Sequence, residues 1–180
     1  MKVILSPGIT ATIACEAAAS SDGLETGGIL LGHDLGDELL ITVAGGPGPD
    51  ASRQPSTFLR DLRYAQELGD EAYDIDGSVW IGDWHTHPGG LAAPSAKDLA
   101  TYSSLLGDTG LAFDRFLALI VTPCAVHGWA ETLIHAWLID ARGARTVRLS
   151  NADDESLRPR HASEAAVTDE STELLQGRKP

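Results

Sequence analysis

The feature that most constrains this chain is a fifteen-residue segment, Trp84 to Asp98, that carries three candidate metal ligands. His85 and His87 are separated by one residue. Because side chains on a strand repeat every second residue, both imidazoles are expected on one face, roughly 7 Å apart at Cα. Asp98 follows a Pro-Gly-Gly turn, where a helix is predicted to begin. Three nitrogen and oxygen ligands leave a fourth position open, as in catalytic zinc sites.

Each of these residues also has an ordinary structural interpretation. An isolated His-x-His is more often a pair of polar residues at a strand end, but here an apolar strand precedes it and a turn frees the space in front. Ser95 to Asp98 is a capping-box pattern, in which serine and acid together cap a helix. Capping places Asp98 in the first helical turn without excluding ligation. We therefore expect His85, His87 and Asp98 to bind zinc.

Two further residues are candidates for catalysis. The Ser95 hydroxyl is either only a helix cap or also an oxyanion donor to a metal-bound carbonyl, a role worth about 3–4 kcal/mol in known cases. Zinc hydrolysis also needs a base that takes a proton from water and passes it to the leaving amine. Glu25 leads a predicted strand that can lie beside the histidine strand, and it is the best candidate for this base. Without the metal ligands nearby, Glu25 would be interpreted as an ordinary solvent-exposed residue at the start of a strand.

Alternating apolar and amphipathic segments predict a mixed α/β fold in one domain. Strands are expected over 2–6, 25–33, 38–43, 79–84, 116–122, 132–140 and 146–149. Helices are expected over 8–20, 59–73 and from Pro94 to about Leu106. A loop rich in Gly, Pro, Ser and Asp is expected from Ala44 to Pro55. Cys124 precedes the last two of these strands. We expect this cysteine to be buried and unliganded, rather than paired with His127 as a metal ligand.

The C-terminal residues differ in composition from the rest. After Ser150 the chain is polar and acidic, with few large apolar residues to offset the entropy of ordering. We therefore divide it into a folded domain, residues 1–150, and a mobile acidic tail, residues 151–180. The alternative is a terminal helix docked through Leu157 and Val167.

Composition excludes several functions. The net charge of −13 and only 13 basic residues argue against nucleic acid as a partner. A protein with a basic surface is more plausible. No apolar run is long enough to span a membrane, the N-terminus lacks a secretion signal, and two cysteines cannot form a disulfide framework. A cytoplasmic location is expected.

Together these residues resemble the JAMM metalloprotease family, also called the MPN-plus or JAB domain. The family pattern is an upstream glutamate, then His-x-His-Pro, then Pro-Ser-x-x-Asp. Over residues 2–140, the chain matches it at these positions: Glu25, His85, His87, Pro88, Pro94, Ser95 and Asp98. The stretch from Thr26 to Gly32 also looks like the family's glutamate strand.

The resemblance implies a curved mixed sheet flanked by helices and zinc held by His85, His87 and Asp98. It also implies Glu25 as general acid/base and Ser95 as oxyanion stabiliser. Members hydrolyse isopeptide or peptide bonds after the C-terminal tail of ubiquitin or ubiquitin-like proteins. Compact bacterial relatives often accompany ubiquitin-activation-like enzymes, in sulfur-carrier pathways or antiphage conjugation systems. The segment from Ala44 to Gly77 corresponds to the family's substrate-tail contacts.

Two other functions fit parts of the pattern. The fold can serve as a non-enzymatic assembly module in which zinc is structural, although scaffold relatives usually lack the ligands. A RadC-like protein, sometimes tied to DNA transactions, shares the His-x-His-Pro and Pro-Ser-x-x-Asp string, but the acidic chain argues against it. We therefore expect a zinc-dependent isopeptidase that removes or processes a ubiquitin-like protein.

Overall fold

A computed structural model describes residues 1–152. Over this range the chain forms ten strands and three helices in one α/β unit. The strands are β1 (Lys2–Leu5), β2 (Gly27–Asp34), β3 (Glu38–Ala44), β4 (Ser52–Gln54), β5 (Thr57–Leu59), β6 (Val79–Thr86), β7 (Arg115–Cys124), β8 (Gly128–Asp140), β9 (Gly143–Thr146) and β10 (Leu149–Asn151). The helices are α1 (Ile9–Ala19), α2 (Leu62–Asp76) and α3 (Ala96–Gly107).

Eight of the strands in residues 1–152 form one mixed sheet, in the order β10-β1-β3-β2-β6-β7-β8-β9. Strand β1 runs parallel to both neighbours and β6 runs parallel to β7, whereas the remaining pairs are antiparallel. The sheet curls and is flanked by the helices. The predicted mixed sheet between helices is therefore confirmed.

The helices divide the sheet into two faces. Leu30 and Leu117 belong to the core beneath α1. Their sequence neighbours Ile29 and Phe116 belong instead to the clusters beneath α2 and α3, respectively. This follows from the period of two in strand side chains. Because both faces are covered, the central strands read as continuous apolar runs.

A bulge in β6 sets which residues reach the site. Leu30 pairs with Gly82 and Leu31 with Trp80, so Ile81 is an extra residue in β6. As a result, Trp80 and Asp83 lie on one face although they are three residues apart, and the Trp80 indole donates to Asp83 Oδ1 at 3.0 Å.

Several predicted boundaries were wrong. The predicted loop from Ala44 to Pro55 contains β4, which pairs with β5 as a small separate hairpin. Helix α2 begins at Leu62 rather than Leu59, because the Asp61 carboxylate accepts from the next backbone amides and caps the helix. The strand predicted over 146–149 is replaced by β9 and β10. The predicted acidic tail, including Leu157 and Val167, lies outside the described residues.

Across residues 1–152, none of the helices is both long and apolar enough to cross a membrane.

The close approach of β2 to the chain after β3 requires glycine at position 28. A Cβ on Gly28 would lie 1.9 Å from the Gly45 carbonyl oxygen. We expect Gly28→Ala to lower the free energy of unfolding by about 3 kcal/mol or more, because the clash is with backbone that cannot rotate away. Gly69→Ala is the control, since a Cβ there meets nothing within 4 Å on α2, and alanine should stabilise the helix by about 1 kcal/mol. Urea unfolding of both variants tests this; equal stabilities would contradict it.

Candidate metal centre

Three donor atoms converge where β6 ends and α3 begins. His85 Nε2 lies 2.9 Å from His87 Nε2, and these atoms lie 3.6 and 3.4 Å from Asp98 Oδ2. Ligands about 2.0–2.1 Å from a tetrahedral ion are roughly 3.3 Å apart. The triangle formed by the three atoms therefore has the size that one bound divalent ion requires. All three side chains are largely buried.

The histidine rings are oriented by their other nitrogens. His87 Nδ1 lies 2.8 Å from the Leu91 carbonyl oxygen, which can only accept. Nδ1 therefore carries the proton, and the Nε2 lone pair of the neutral ring faces the other two donors. The Tyr102 hydroxyl lies 3.5 Å from His85 Nδ1. Each imidazole thus has an outer partner of the kind that fixes metal-ligating histidines.

Asp98 combines the two roles that the sequence left open. Its Oδ2 accepts from the Ser95 amide at 2.6 Å, while the Ser95 hydroxyl accepts from the Asp98 amide at 3.2 Å, which completes a capping box. The same Oδ2 atom faces both imidazoles. Burial raises the pKa of Asp98, but the His85 and His87 imidazoles that face the carboxylate outweigh it and hold that pKa well below its usual range. The carboxylate is therefore ionised, as a metal ligand must be.

His87 responds to the same carboxylate. Burial lowers the pKa of His87, whereas the neighbouring Asp98 carboxylate and the Leu91 carbonyl raise it by more. The cavity thus favours positive charge at this point, which a divalent cation would supply.

Glu25 is held next to the histidine strand by main-chain contacts. Gly27 pairs with His85, so Glu25 lies two residues beyond this pair at the same end of the sheet. The Thr26 amide donates to Thr86 Oγ1 at 2.9 Å, and the Thr86 amide donates to the Thr26 carbonyl at 2.8 Å. Burial raises the pKa of the Glu25 carboxyl above its ordinary value. A raised pKa makes this carboxylate a stronger proton acceptor.

The β4–β5 hairpin fixes Glu25 from the other side. The Glu25 amide donates to the Gln54 carbonyl at 2.9 Å. Arg53 Nε donates to the Glu25 carbonyl at 3.2 Å, and its guanidinium also pairs with the Asp22 carboxylate at 2.9 Å. Both backbone polar groups of Glu25 are therefore bonded to the hairpin.

These residues line a cleft of about 480 Å³. Glu25, His85 and Asp98 lie at its wall together with Phe58 and Leu59 from β5. The Lys97 ammonium of α3 reaches Thr57 Oγ1 at 2.6 Å, which links α3 to the hairpin. The cleft thus lies between the hairpin, α3 and the donors His85 and Asp98.

Sequence reasoning missed three residues around the centre. Tyr102 lies four residues after Asp98 on α3, so helical spacing could have placed it on the same face. Asp83 is buried and pairs with Arg60, whose guanidinium also lies 5.2 Å from the Trp80 ring centroid. Burial raises the pKa of Asp83, against the opposing effect of Arg60. No local sequence pattern predicts the Arg60–Asp83 pair, because the two residues lie in different parts of the fold.

Cys124 differs from its prediction. The residue is partly rather than fully buried, and it clusters with His127 and Glu131 at the β7–β8 turn. The sequence spacing identified only Cys124 and His127 as possible ligands. Glu131 joins this cluster because β8 folds back beside the end of β7.

A mixed sheet that brings two histidines and an aspartate together beside one cleft defines an α/β domain with a candidate metal site. Residues 10–150 match the family model for prokaryotic homologs of the JAB domain, and the chain belongs to that family. The resemblance to the JAMM family is thereby confirmed.

Named relatives agree with this assignment. A CD-NTase/cGAS isopeptidase of Escherichia coli (strain TW11681) is 34% identical over 80 residues, covering 43% of this chain and 51% of the relative. One of Enterobacter hormaechei is 31% identical over 88 residues, covering 47% and 48%. The chain thus spans about half the length of these relatives. A probable metalloprotease, y4qB of Sinorhizobium fredii, is 30% identical over 120 residues, covering 64% and 70%.

The fold also matches a solved structure. The solution structure of protein DSY2949 from Desulfitobacterium hafniense superposes with a TM-score of 0.61 at 23% identity, covering 86% of this chain and 94% of that one. This likeness supports the fold alone.

Proposed function

We propose that this chain is a zinc-dependent peptidase or isopeptidase that hydrolyses the bond after the C-terminal tail of a ubiquitin-like protein. The observation that carries the proposal is the triangle formed by His85, His87 and Asp98, which opens onto a cleft that also holds Glu25. Relatives named isopeptidase and metalloprotease support a hydrolase of the JAB type.

Zinc is the metal that this donor set favours. Two imidazoles and one carboxylate suit a borderline ion in tetrahedral coordination, and three protein ligands leave one position for substrate or water. When bound, zinc would supply Lewis-acid polarisation of the scissile carbonyl and lower the pKa of water.

The chain's own residues divide the remaining work. Glu25, held at both backbone groups, accepts the proton of the attacking water and returns it to the leaving amine. In the capping box, Ser95 Oγ uses a lone pair toward the Asp98 amide. Its O–H therefore stays able to donate to the oxyanion that develops on the carbonyl.

Ser95→Ala is expected to lower kcat by about a hundred- to a thousand-fold with zinc retained, because one oxyanion donor is lost. It also removes a helix cap, which should cost about 1 kcal/mol of stability. Ser95→Gly separates the two effects, since glycine at an N-cap costs only about a few tenths of a kcal/mol. Steady-state kinetics and urea unfolding of both variants measure them. A fully active Ser95→Gly would show that Ser95 only caps the helix.

The hairpin supports an extended substrate tail. Strand β5 pairs only with β4 among residues 1–152, so its other edge is open, and its residues line the cleft. A tail adding to this edge as a strand would gain main-chain hydrogen bonds and reach the donor triangle. Relatives named CD-NTase/cGAS isopeptidase support a conjugate as the substrate. We place the reaction in the cytoplasm, beside ubiquitin-activation-like enzymes that would form the conjugate.

A cleavage assay tests the proposal directly. Metal-stripped protein, reloaded with zinc, is incubated with a panel of ubiquitin-like proteins that carry a C-terminal peptide extension, and products are identified by mass spectrometry. We expect a cut directly after the ubiquitin-like tail, its loss with a chelator and its return with zinc. Stoichiometric zinc without cleavage of any panel member would overturn the enzymatic function and favour an assembly module instead.

A further inference from the structure

A second cluster of metal-ligand side chains lies at the turn of the β7–β8 hairpin. Cys124 is the last residue of β7, His127 lies in the turn and Glu131 is in β8. One donor atom from each lies within 4.8 Å of the other two. His127 Nδ1 is 2.6 Å from Glu131 Oε2.

The local backbone produces this convergence. The pairing of β7 with β8 shifts between Pro123 and Cys124, so that Cys124 pairs with Gly128. Gly128 has a φ of 57°, in the left-handed region that glycine adopts easily. The resulting tight turn brings His127 and Glu131 back beside the end of β7.

An ordinary ion pair explains only part of the cluster. A hydrogen bond between His127 and Glu131 accounts for those two side chains, but not for the position of Cys124. Free cysteine is among the most often buried residues, yet Cys124 is only partly buried here. Its thiol is free. The cysteine is thus partly accessible and close to two further donors.

The donor chemistry fits zinc. Thiolate, imidazole and carboxylate are its ordinary protein ligands. Around one tetrahedral zinc ion, a sulfur and a nitrogen ligand are roughly 3.5 Å apart. The three donor atoms are at most 4.8 Å apart, so small side-chain rotations suffice to bring them to that spacing. The side chains of His127 and Glu131 are 60% and 56% exposed. An ion can therefore enter from solution, and water can complete the coordination.

We propose that Cys124, His127 and Glu131 form a second zinc site that closes the β7–β8 hairpin. The site is separate from the donor triangle and does not depend on peptidase activity. Three side chains held by one ion would restrict the turn in the way that structural metals do. The turn follows β7 three residues after Val121, whose carbonyl accepts from the His87 amide, so the ion would order a loop that follows the strand bonded to the first site.

Cobalt substitution distinguishes the two sites, because only the proposed one contains sulfur. Metal-stripped, reduced protein is titrated with Co²⁺ and followed for the thiolate-to-cobalt charge-transfer band in the near ultraviolet. We expect this band in wild type and in Asp98→Ala. We expect it to disappear in Cys124→Ser and to persist in the matched control Cys15→Ser.

Zinc content supplies the second measurement. Wild type should bind two equivalents, and Cys124→Ser, His127→Ala and Asp98→Ala one each. The equivalent that remains in Cys124→Ser shows that this variant is folded. A reduced wild type without the charge-transfer band, or a band that survives in Cys124→Ser, would overturn the proposal. A protein with both zinc equivalents and no hydrolysis would refute the proposed function and leave this site standing.

Discussion

Replacing Glu25 by glutamine is expected to abolish measurable hydrolysis while the protein keeps its zinc. Glutamine preserves the size of the side chain and the hydrogen bonds of the Glu25 backbone, but its amide cannot accept the proton of water at neutral pH. Loss of a general base typically lowers turnover by about a hundred- to ten-thousand-fold. The metal content should not change, because Glu25 is not one of the three converging donors. Steady-state kinetics and metal analysis of the same preparation test both parts.

Glu71→Gln is a suitable control for this substitution. Glu71 is exposed on α2, so the same chemical change there should leave turnover at the wild-type value. If Glu25→Gln hydrolyses substrate as fast as wild type, the base must be another residue. If it loses zinc as well as activity, Glu25 supports the metal rather than the proton transfer.

Replacing Asp98 by alanine is expected to remove both zinc binding and activity at the donor triangle. Two histidines would remain, and the negative charge that balances a dication would be gone. The same change deletes one half of the capping box, which should lower the free energy of unfolding by about 1 kcal/mol. Chelator competition measures zinc affinity, and urea unfolding of the metal-stripped proteins measures the stability lost with the helix cap.

Asp98→Asn separates ligation from capping. Its amide oxygen can still accept from the Ser95 backbone, so stability of the metal-stripped protein should approach that of wild type. A neutral amide is a far weaker zinc ligand than a carboxylate, and zinc affinity should stay low. Wild-type affinity in either Asp98 variant would contradict the proposed ligand set.

The donor triangle was predictable because its geometry is local. His85 and His87 are constrained by the period of a strand, and Asp98 by the first turn of a helix whose start is marked by Ser95. Only one long-range fact was needed, the approach of β6 to α3. The structure brings these three residues together as expected, while their binding of zinc stays a prediction. The mixed sheet between helices followed from the alternation of apolar and amphipathic segments.

The residues that were missed depend on contacts between distant parts of the chain. The β4–β5 hairpin arose in a segment rich in turn-forming residues, where six strand residues carry too little periodicity to be recognised. Arg60, just before α2, meets Asp83 of β6 across elements that lie far apart in the sequence. Cys124 was expected to be buried but is only partly buried. It is the last residue of β7, and sequence alone does not show how much of a strand end the rest of the protein covers. Such features follow from packing rather than from spacing.

The attachment of Glu25 to the β4–β5 hairpin has a consequence for changing the specificity of this protein. The surface offered to a substrate tail and the backbone that aims the base belong to one hydrogen-bonded unit, centred on Arg53. Transplanting the hairpin of another family member would thus alter selectivity and catalytic rate together. Specificity can be retargeted cleanly only by exchanging side chains on β5 while Arg53 and the Gln54 carbonyl keep their places.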